Sequence, residues 1–571
     1  MDEFTPEQKA ILSRFCTNVD KPTFGLVNLP QVVCGALFSR YSRSTKSARR
    51  VLLEEFIQNP EMKFEEIVGG SVTGSADQQL VATQKAEQFY DRVLVGYGDD
   101  SVAELGGAHL ACEEVSNLAT KFIQDARIGL SPLEKSTRYV YFHQKDKDGH
   151  YRYYRGAELA DDAAYLKICD LLFDTYVKLQ EPLAAWLKKK YPKAADVTER
   201  AYESTIKAKV CDLLRGLLPA STLTNTGLYG NGRAFEYLLT RMYSSDLPEV
   251  NRLAGEMQEE LSKAIPSFVK RCNDRHGQAT QAYWKECREK TKKEAEKNQK
   301  QSLFWSQAEN SGYCSEYIDE VRLLEYDGRA EQKIIAAILS ANGWDYISAK
   351  ARADSMSDSD RLSLLSAYVG ERGNRRHKPG RAFEHAHYTF AICGNFGQFR
   401  DLHRHRMLTQ ERQMLTCDWG YDVPKELKEA GLAGEFEEAM KEAKEVYDGL
   451  RERKGPVLSQ YSVPMAYRLR WYFHLTLREA FHLIELRSMP QGHEDYRRVA
   501  VKMADEIARV HPRLAAFMKF VNRENVALER LESEKKIDEK LKKFLRGEDE
   551  KKDALQKDIR KAFGIREKDS R

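Results

Sequence analysis

The sequence predicts an α+β protein, rich in helix and built from two related halves in tandem. Three observations carry that reading. Apolar residues recur three and four apart over long stretches, as in VRLLEYDGRAEQKIIAAILSAN and MADEIARVHPRLAAFMKFVNRE, the spacing of helices with one buried face. Strand-like runs are few and short; the best, AHYTFAICG at 386–394, is rich in β-branched and aromatic residues and closes on a glycine. Spaced residues of the first half return in the second in the same order.

Length and composition support the first point. At 571 residues the chain exceeds one ordinary core, and 42% hydrophobic with 31% charged residues is globular rather than disordered. No stretch has the unbroken apolar length of a membrane-spanning helix. The opening MDEFTPEQKA is acidic and polar, so a cytoplasmic protein without a secretory leader is expected. Ten scattered cysteines with no CxxC pair read as reduced thiols packed in cores. A net charge of +4 is small for this size and gives no reason to expect a nucleic-acid partner.

The repeat shows in spaced pairs. SVAE places Glu104 in the first half, and GRAFE places Glu384 in the second. About twenty residues on come Gln124-Asp125-Ala126-Arg127 and Arg404-His405-Arg406. Arg233 and Arg252 then stand 19 residues apart, as do Arg478 and Arg497, and Arg241 and Arg487 lie between them. The predicted organisation is a first repeat at 1–272, a charged connector at 273–320, a second repeat at 321–525 and a charged helical tail at 526–571. The tail reads as an exposed helix or a hairpin of two. GLYGNGR (227–233) lacks the lysine and serine of a phosphate-binding loop, and its glycines read as a turn before a helix.

Chemistry concentrates in the second half, in Glu384-His385-Ala386-His387 and in QFRDLHRHRMLTQERQ at 398–413. Arg404 and Arg406 flank an imidazole, and planar guanidiniums suit phosphate and carboxylate through paired, charge-assisted hydrogen bonds. A bare Arg-His-Arg is usually a surface patch. This one follows an apolar stretch and stands near Glu411-Arg412-Gln413, which points to a site. Eight of the thirteen histidines fall between 377 and 493. Two HxH pairs could offer metal ligands on strands, but His403 and His405 sit in a segment that reads helical or irregular, and no metal is expected.

EHAHYTFAICGNFGQFRDLHRHRMLTQERQ resembles the core of the flavin-dependent thymidylate synthases. The family signature is an Arg-His-Arg triplet, about seven residues, a serine, and an arginine two further on. TLREAFHLIELRSMPQGHEDYR (476–497) is similar to its Asn-x-Arg helix and the Ala-Gln-x-Glu-Ile-Arg segment that follows. The first half resembles the family more faintly, through GYGDDSVAE, VSNLATKFIQDARIGLSPLEKSTRYV and NGRAFEYLLTR. The resemblance implies two helix-rich repeats of that fold arranged as a pseudo-dimer. It implies FAD as cofactor and conversion of dUMP to dTMP with methylenetetrahydrofolate and reduced nicotinamide (NADPH) as co-substrates. On it, Arg497 matches the arginine that polarises the pyrimidine and Arg478 the helix arginine. Arg404, His405, Arg406, Glu384, Glu411 and His493 are assigned to the flavin, His493 standing where the family has glutamine. Ser136, Arg138 and Gln413 are assigned to the nucleotide.

Each half departs from the pattern where the other keeps it. Skipping seven residues past Arg406 lands on Met414 rather than serine, while the first half reads Asp125-Ala126-Arg127 for the triplet yet keeps Ser136-Thr137-Arg138-Tyr139. A nucleotide site drawing on both halves is therefore expected, in a homodimer of fused chains that imitates the family's tetramer. The alternatives are a homologue with a changed substrate and a non-catalytic assembly protein on the same fold.

Overall fold

The computed structural model describes residues 2–60, 64, 102–300 and 320–545. The GYGDD stretch at 96–100, connector residues 301–319 and tail residues 546–571 lie outside the described residues. The described chain is mixed α+β, mostly helical, with two antiparallel sheets.

Strands β1 (Gly107–Ser116), β2 (Leu130–Glu134) and β3 (Leu223–Asn231) form the first sheet in the order β1-β3-β2. Strands β4 (Val321–Tyr326), β5 (His387–Asn395), β6 (Leu408–Arg412) and β7 (Arg468–Thr476) form the second in the order β4-β5-β7-β6. The expected strand at 386–394 is thus β5, displaced by one residue. Without the edge strand β4, the two sheets have the same order and connection.

Their registers also agree. Gly107 faces Asn231 and Leu130 faces Gly230 in the first sheet; His387 faces Thr476 and Leu408 faces Leu475 in the second. One bulge, between Cys112 and Val115 of β1, interrupts the match. β3 and β7 alternate in step: Thr224, Thr226 and Leu228 point inward, as do Leu469, Trp471 and Phe473.

Four strands, β1, β3, β5 and β7, each end at a side chain that starts a helix. Ser116 caps α1 (Asn117–Asp125) and Asn231 caps α3 (Gly232–Tyr243), which follows α2 (Glu199–Leu214) in the chain. Asn395 caps α5 (Phe396–Leu402), past α4 (Arg275–Lys300), and Thr476 caps α6 (Leu477–Arg487). In each case the side-chain oxygen accepts a backbone N–H that the helix cannot satisfy itself. At α5 Gln398 returns a bond to the Asn395 N–H, closing a capping box.

GLYGNGR is not a turn. Gly227 and Gly230 lie in β3, which runs to Asn231. A Cβ on Gly230 would come within 2.3 Å of the Leu130 side chain, so glycine here permits close strand contact.

The halves meet along backbone. Pro219 and Pro464 bridge, Ala220 N donates to Val463 O at 2.8 Å, and Met465 N donates to Leu218 O at 2.9 Å. Two further helices position the surroundings, α7 (Glu494–Val510) and α8 (Leu531–Leu545). The tail helix α8 is docked rather than free: Arg200 of α2 bonds Glu534 at 2.9 Å, and Lys535 bonds Asp196 at 2.8 Å. Its mixed charge, read from sequence as solvation, serves as the contact. Among the described residues no helix is long and apolar enough to cross a membrane.

Candidate functional site

A small polar recess of about 50 Å³ opens at the junction of the halves. The first half contributes Glu134, the last residue of β2, with Ser136 and Arg138 beyond it, and Arg215 just after α2. The second half contributes Arg400 and Asp401 from α5, and Arg404. Of the residues singled out from sequence, Ser136, Arg138 and Arg404 come together here from opposite halves.

The recess is a dense set of paired charges. Arg138 grips Asp212 with two bonds of 2.8 and 2.6 Å and donates to the Tyr496 hydroxyl at 3.2 Å. Arg215 bonds Asp401 at 2.9 Å, and Arg404 reaches the same carboxylate at 3.3 Å. Glu134 receives both Lys121, at 2.6 Å, and Arg400, at 3.0 Å, while Arg400 also bonds the Thr137 hydroxyl at 3.0 Å. Burial alone would raise the carboxyl pKa of Glu134, but Lys121 and Arg400 outweigh it and hold the group well below the usual range. Asp401 is depressed in the same way, by Arg215 and Arg138 against burial.

Cations exceed anions. Four guanidiniums and Lys121 surround three carboxylates, Glu134, Asp212 and Asp401. Among the described residues, the buried donors Arg215 Nη2 and Arg400 Nε have no hydrogen-bond partner. Ser136, Arg215 and Arg400 line the same recess.

The three residues of the Arg-His-Arg triplet diverge. Arg404 faces the recess and Arg406 reaches across to the Ser131 hydroxyl of β2 at 2.8 Å. His405 turns into the interior, where Arg487 Nε donates to its Nε2 at 3.0 Å and its Nδ1 meets Glu479 at 2.9 Å. The Arg487 bond fixes the tautomer, so Nδ1–H donates to Glu479. Burial first, and Arg487 second, keep this imidazole neutral, with its pKa well below the ordinary value. His405, Glu479 and His482 place possible ligand atoms within 4.8 Å of one another. In this tautomer both His405 nitrogens are committed, and no lone pair remains for a metal.

A larger cleft of about 390 Å³ adjoins the recess and shares Arg215 with it. Lys209, Asp212, Asn395, Arg468 and His493 are among the residues that line it. His493 faces the Asp212 carbonyl at 3.2 Å through Nε2, and its Nδ1 accepts from Asp495 N.

The other predicted residues lie elsewhere. Arg497 is buried and held through Nε and Nη2: it donates to Ser488 O at 3.0 Å, Asn522 Oδ1 at 3.0 Å and Glu524 O at 2.6 Å. Arg478 pairs with Glu384 at 3.2 Å and with Pro379 O at 3.0 Å in a half-exposed cluster. Glu411 and Gln413 line a hollow of about 540 Å³ beside Arg470 and Trp471. The sequence reading passed over Arg215, Arg400 and Asp401. The last two stand inside the quoted QFRDLHRHR run, while Arg215 carried no motif at all.

A family model described as thymidylate synthase complementing protein matches residues 42–267 and 322–513, one segment in each half. A UPF0159 protein of Chlamydia muridarum (strain MoPn / Nigg) is 43% identical over 539 residues, covering 93% of this chain and 98% of its own. A UPF0159 protein of Thermoplasma acidophilum is 36% identical over 528 residues, covering 88% and 97%.

Proposed function

The chain belongs to the thymidylate synthase complementing protein family, and from that premise we propose that it is a flavin-dependent methyltransferase converting dUMP to dTMP. The methyl donor would be methylenetetrahydrofolate and the reductant a nicotinamide. The carrying observation is the recess: Ser136, Arg138 and Arg215 of one half face Arg404 of the other around two unpartnered buried donors. A nucleotide monophosphate fits this chemistry, since its phosphate would satisfy donors that the protein leaves free.

The two-segment family match and the repeated strand order support a tandem pair of repeats, at 1–272 and 321–525, acting as a pseudo-dimer. A homodimer of fused chains then takes the place of a tetramer, and a sedimentation mass of two chains is expected.

FAD would be held by Arg404 and Arg406, which bond Asp401 and Ser131, and by His493 in the cleft. When bound, the flavin supplies the hydride chemistry. The chain's own residues bind and orient the nucleotide. Methyl transfer to C5 of a uracil also needs negative charge stabilised on the ring oxygens, for which a guanidinium is suited. Arg497 is held through Nε and Nη2 by Ser488, Asn522 and Glu524. Arg487, against His405 and 5.8 Å from the Tyr496 ring that Arg138 also contacts, is the better placed arginine.

Met414, where the family has serine, lines a different cavity, so its loss of a hydroxyl leaves the recess intact. That favours the family's own substrate over a changed one. Rescue of a thymidine auxotroph tests the activity, and failure to rescue by a soluble, flavin-loaded protein would count against it.

A further inference from the structure

The matched registers relate residues of the two halves one to one. Six residues beyond Leu130 and Leu408 stand Ser136 and Met414. Four before the bridged prolines stand Arg215 and Gln460. Six past the caps Ser116 and Asn395 stand Phe122 and Asp401. Ser136, Arg215 and Asp401 line the polar recess, whereas Met414, Gln460 and Phe122 line a second cavity, of about 380 Å³. The junction therefore holds two hollows related by the repeat; at these three positions the second has Met, Gln and Phe for Ser, Arg and Asp, while Arg241 and the Arg288–Asp246 pair also line it.

What replaces them is aromatic. Phe122 and Tyr237 line the cavity, and Trp284 of α4 meets Tyr237 edge-on with ring centres 5.9 Å apart. The Arg241 guanidinium lies 5.1 Å from the Phe122 ring centre and 6.0 Å from that of Tyr237. Among the described residues Arg241 makes no ion pair, unlike the neighbouring Arg288, which pairs with Asp246 at 3.8 Å. A cation stacked on ring faces keeps its N–H edges for an incoming anion.

We infer that this cavity is a second binding site, selective for a planar aromatic ring that carries an anionic group. The ring would lie among Phe122, Tyr237 and Trp284, and the anion would take the Arg241 edge. The inference rests on the strand registers and the cavity's own side chains, and stands independently of the proposed activity.

The test is calorimetric titration of the full chain with 2-naphthoate, with cyclohexanecarboxylate as the anion lacking a flat ring. One naphthoate per chain is expected, with markedly weaker binding of the saturated acid. Arg241→Ala and, as the milder change, Arg241→Gln should each weaken naphthoate at least about tenfold, the loss of one or two charge-assisted bonds. Trp284→Phe should weaken it less, and saturating dUMP should leave it unchanged. No binding to folded wild-type chain, naphthoate binding unaltered in both Arg241 variants, or displacement by dUMP would overturn the assignment.

Discussion

Arg138 and Ser136 stand two residues apart and call for different tests. Arg138 is buried against Asp212, so Arg138→Ala leaves an unpaired carboxylate in the interior. The expected cost is about 3–5 kcal/mol of stability, read as a lower urea midpoint, whatever the residue does for ligand. Replacing Arg138 and Asp212 together by apolar residues should recover most of that loss. Ser136 accepts only the Arg138 N–H, at 3.2 Å, and Arg404 makes one long bond to Asp401. Ser136→Ala and Arg404→Ala should therefore leave the fold within about 1 kcal/mol of wild type, and their effects on ligand can be read directly. Arg497→Ala breaks three bonds of a buried cation and should lower stability by about 2 kcal/mol or more.

Protonation acts at the same scale. Burial lowers His405 far below its ordinary pKa, and lowers His482 to about 4. An unfolded histidine binds its proton near pH 6.5, so between there and about 4 the unfolded chain holds more protons than the folded one. Stability should fall as pH drops through that window. Below about 4, Glu134 and Asp401 extend the loss, because their folded pKa values lie beneath the unfolded ones. Denaturation midpoints from pH 7 to 4 check this: His482→Gln should flatten the upper part of the slope, and an unchanged slope would contradict it.

Among elements, the strand-to-helix switches were only partly legible in sequence. β5 declares itself by its β-branched and aromatic run, but β3 does not, because TLTNTGLYGN is polar and glycine-rich, and Gly230 is needed for close contact with Leu130 of β2. Propensity favours a turn there; packing against Leu130 decides for a strand. The caps Ser116, Asn231, Asn395 and Thr476 are what the matched elements share most clearly. Thr476→Ala should cost about 1 kcal/mol, whereas Asn395→Ala should cost more, since Asn395 also bonds Asp422 at 2.8 Å and Asp495 at 3.0 Å. Equal costs would show that the cap alone matters. The tail helix was read from composition as solvated; its charges instead meet complementary charges on α2, which composition cannot reveal.

For the molecule as a whole, the two halves share backbone hydrogen bonds, buried ion pairs and a recess, so they should unfold in one cooperative step. The tandem order and the reciprocal loss of motifs were readable because each motif is local in the chain. The recess was not, since Arg215 meets Asp401 only through the folded junction, and nothing near Arg215 in sequence marks it. The central claim is that one nucleotide site is built from both halves. It is tested most directly by calorimetric titration of dUMP into wild type, Ser136→Ala and Arg404→Ala. The account predicts that both variants, one altered in each half, keep the fold and bind dUMP at least several-fold more weakly. If either folded variant binds dUMP as tightly as wild type, its half does not contribute to the site, and the shared-site account is wrong.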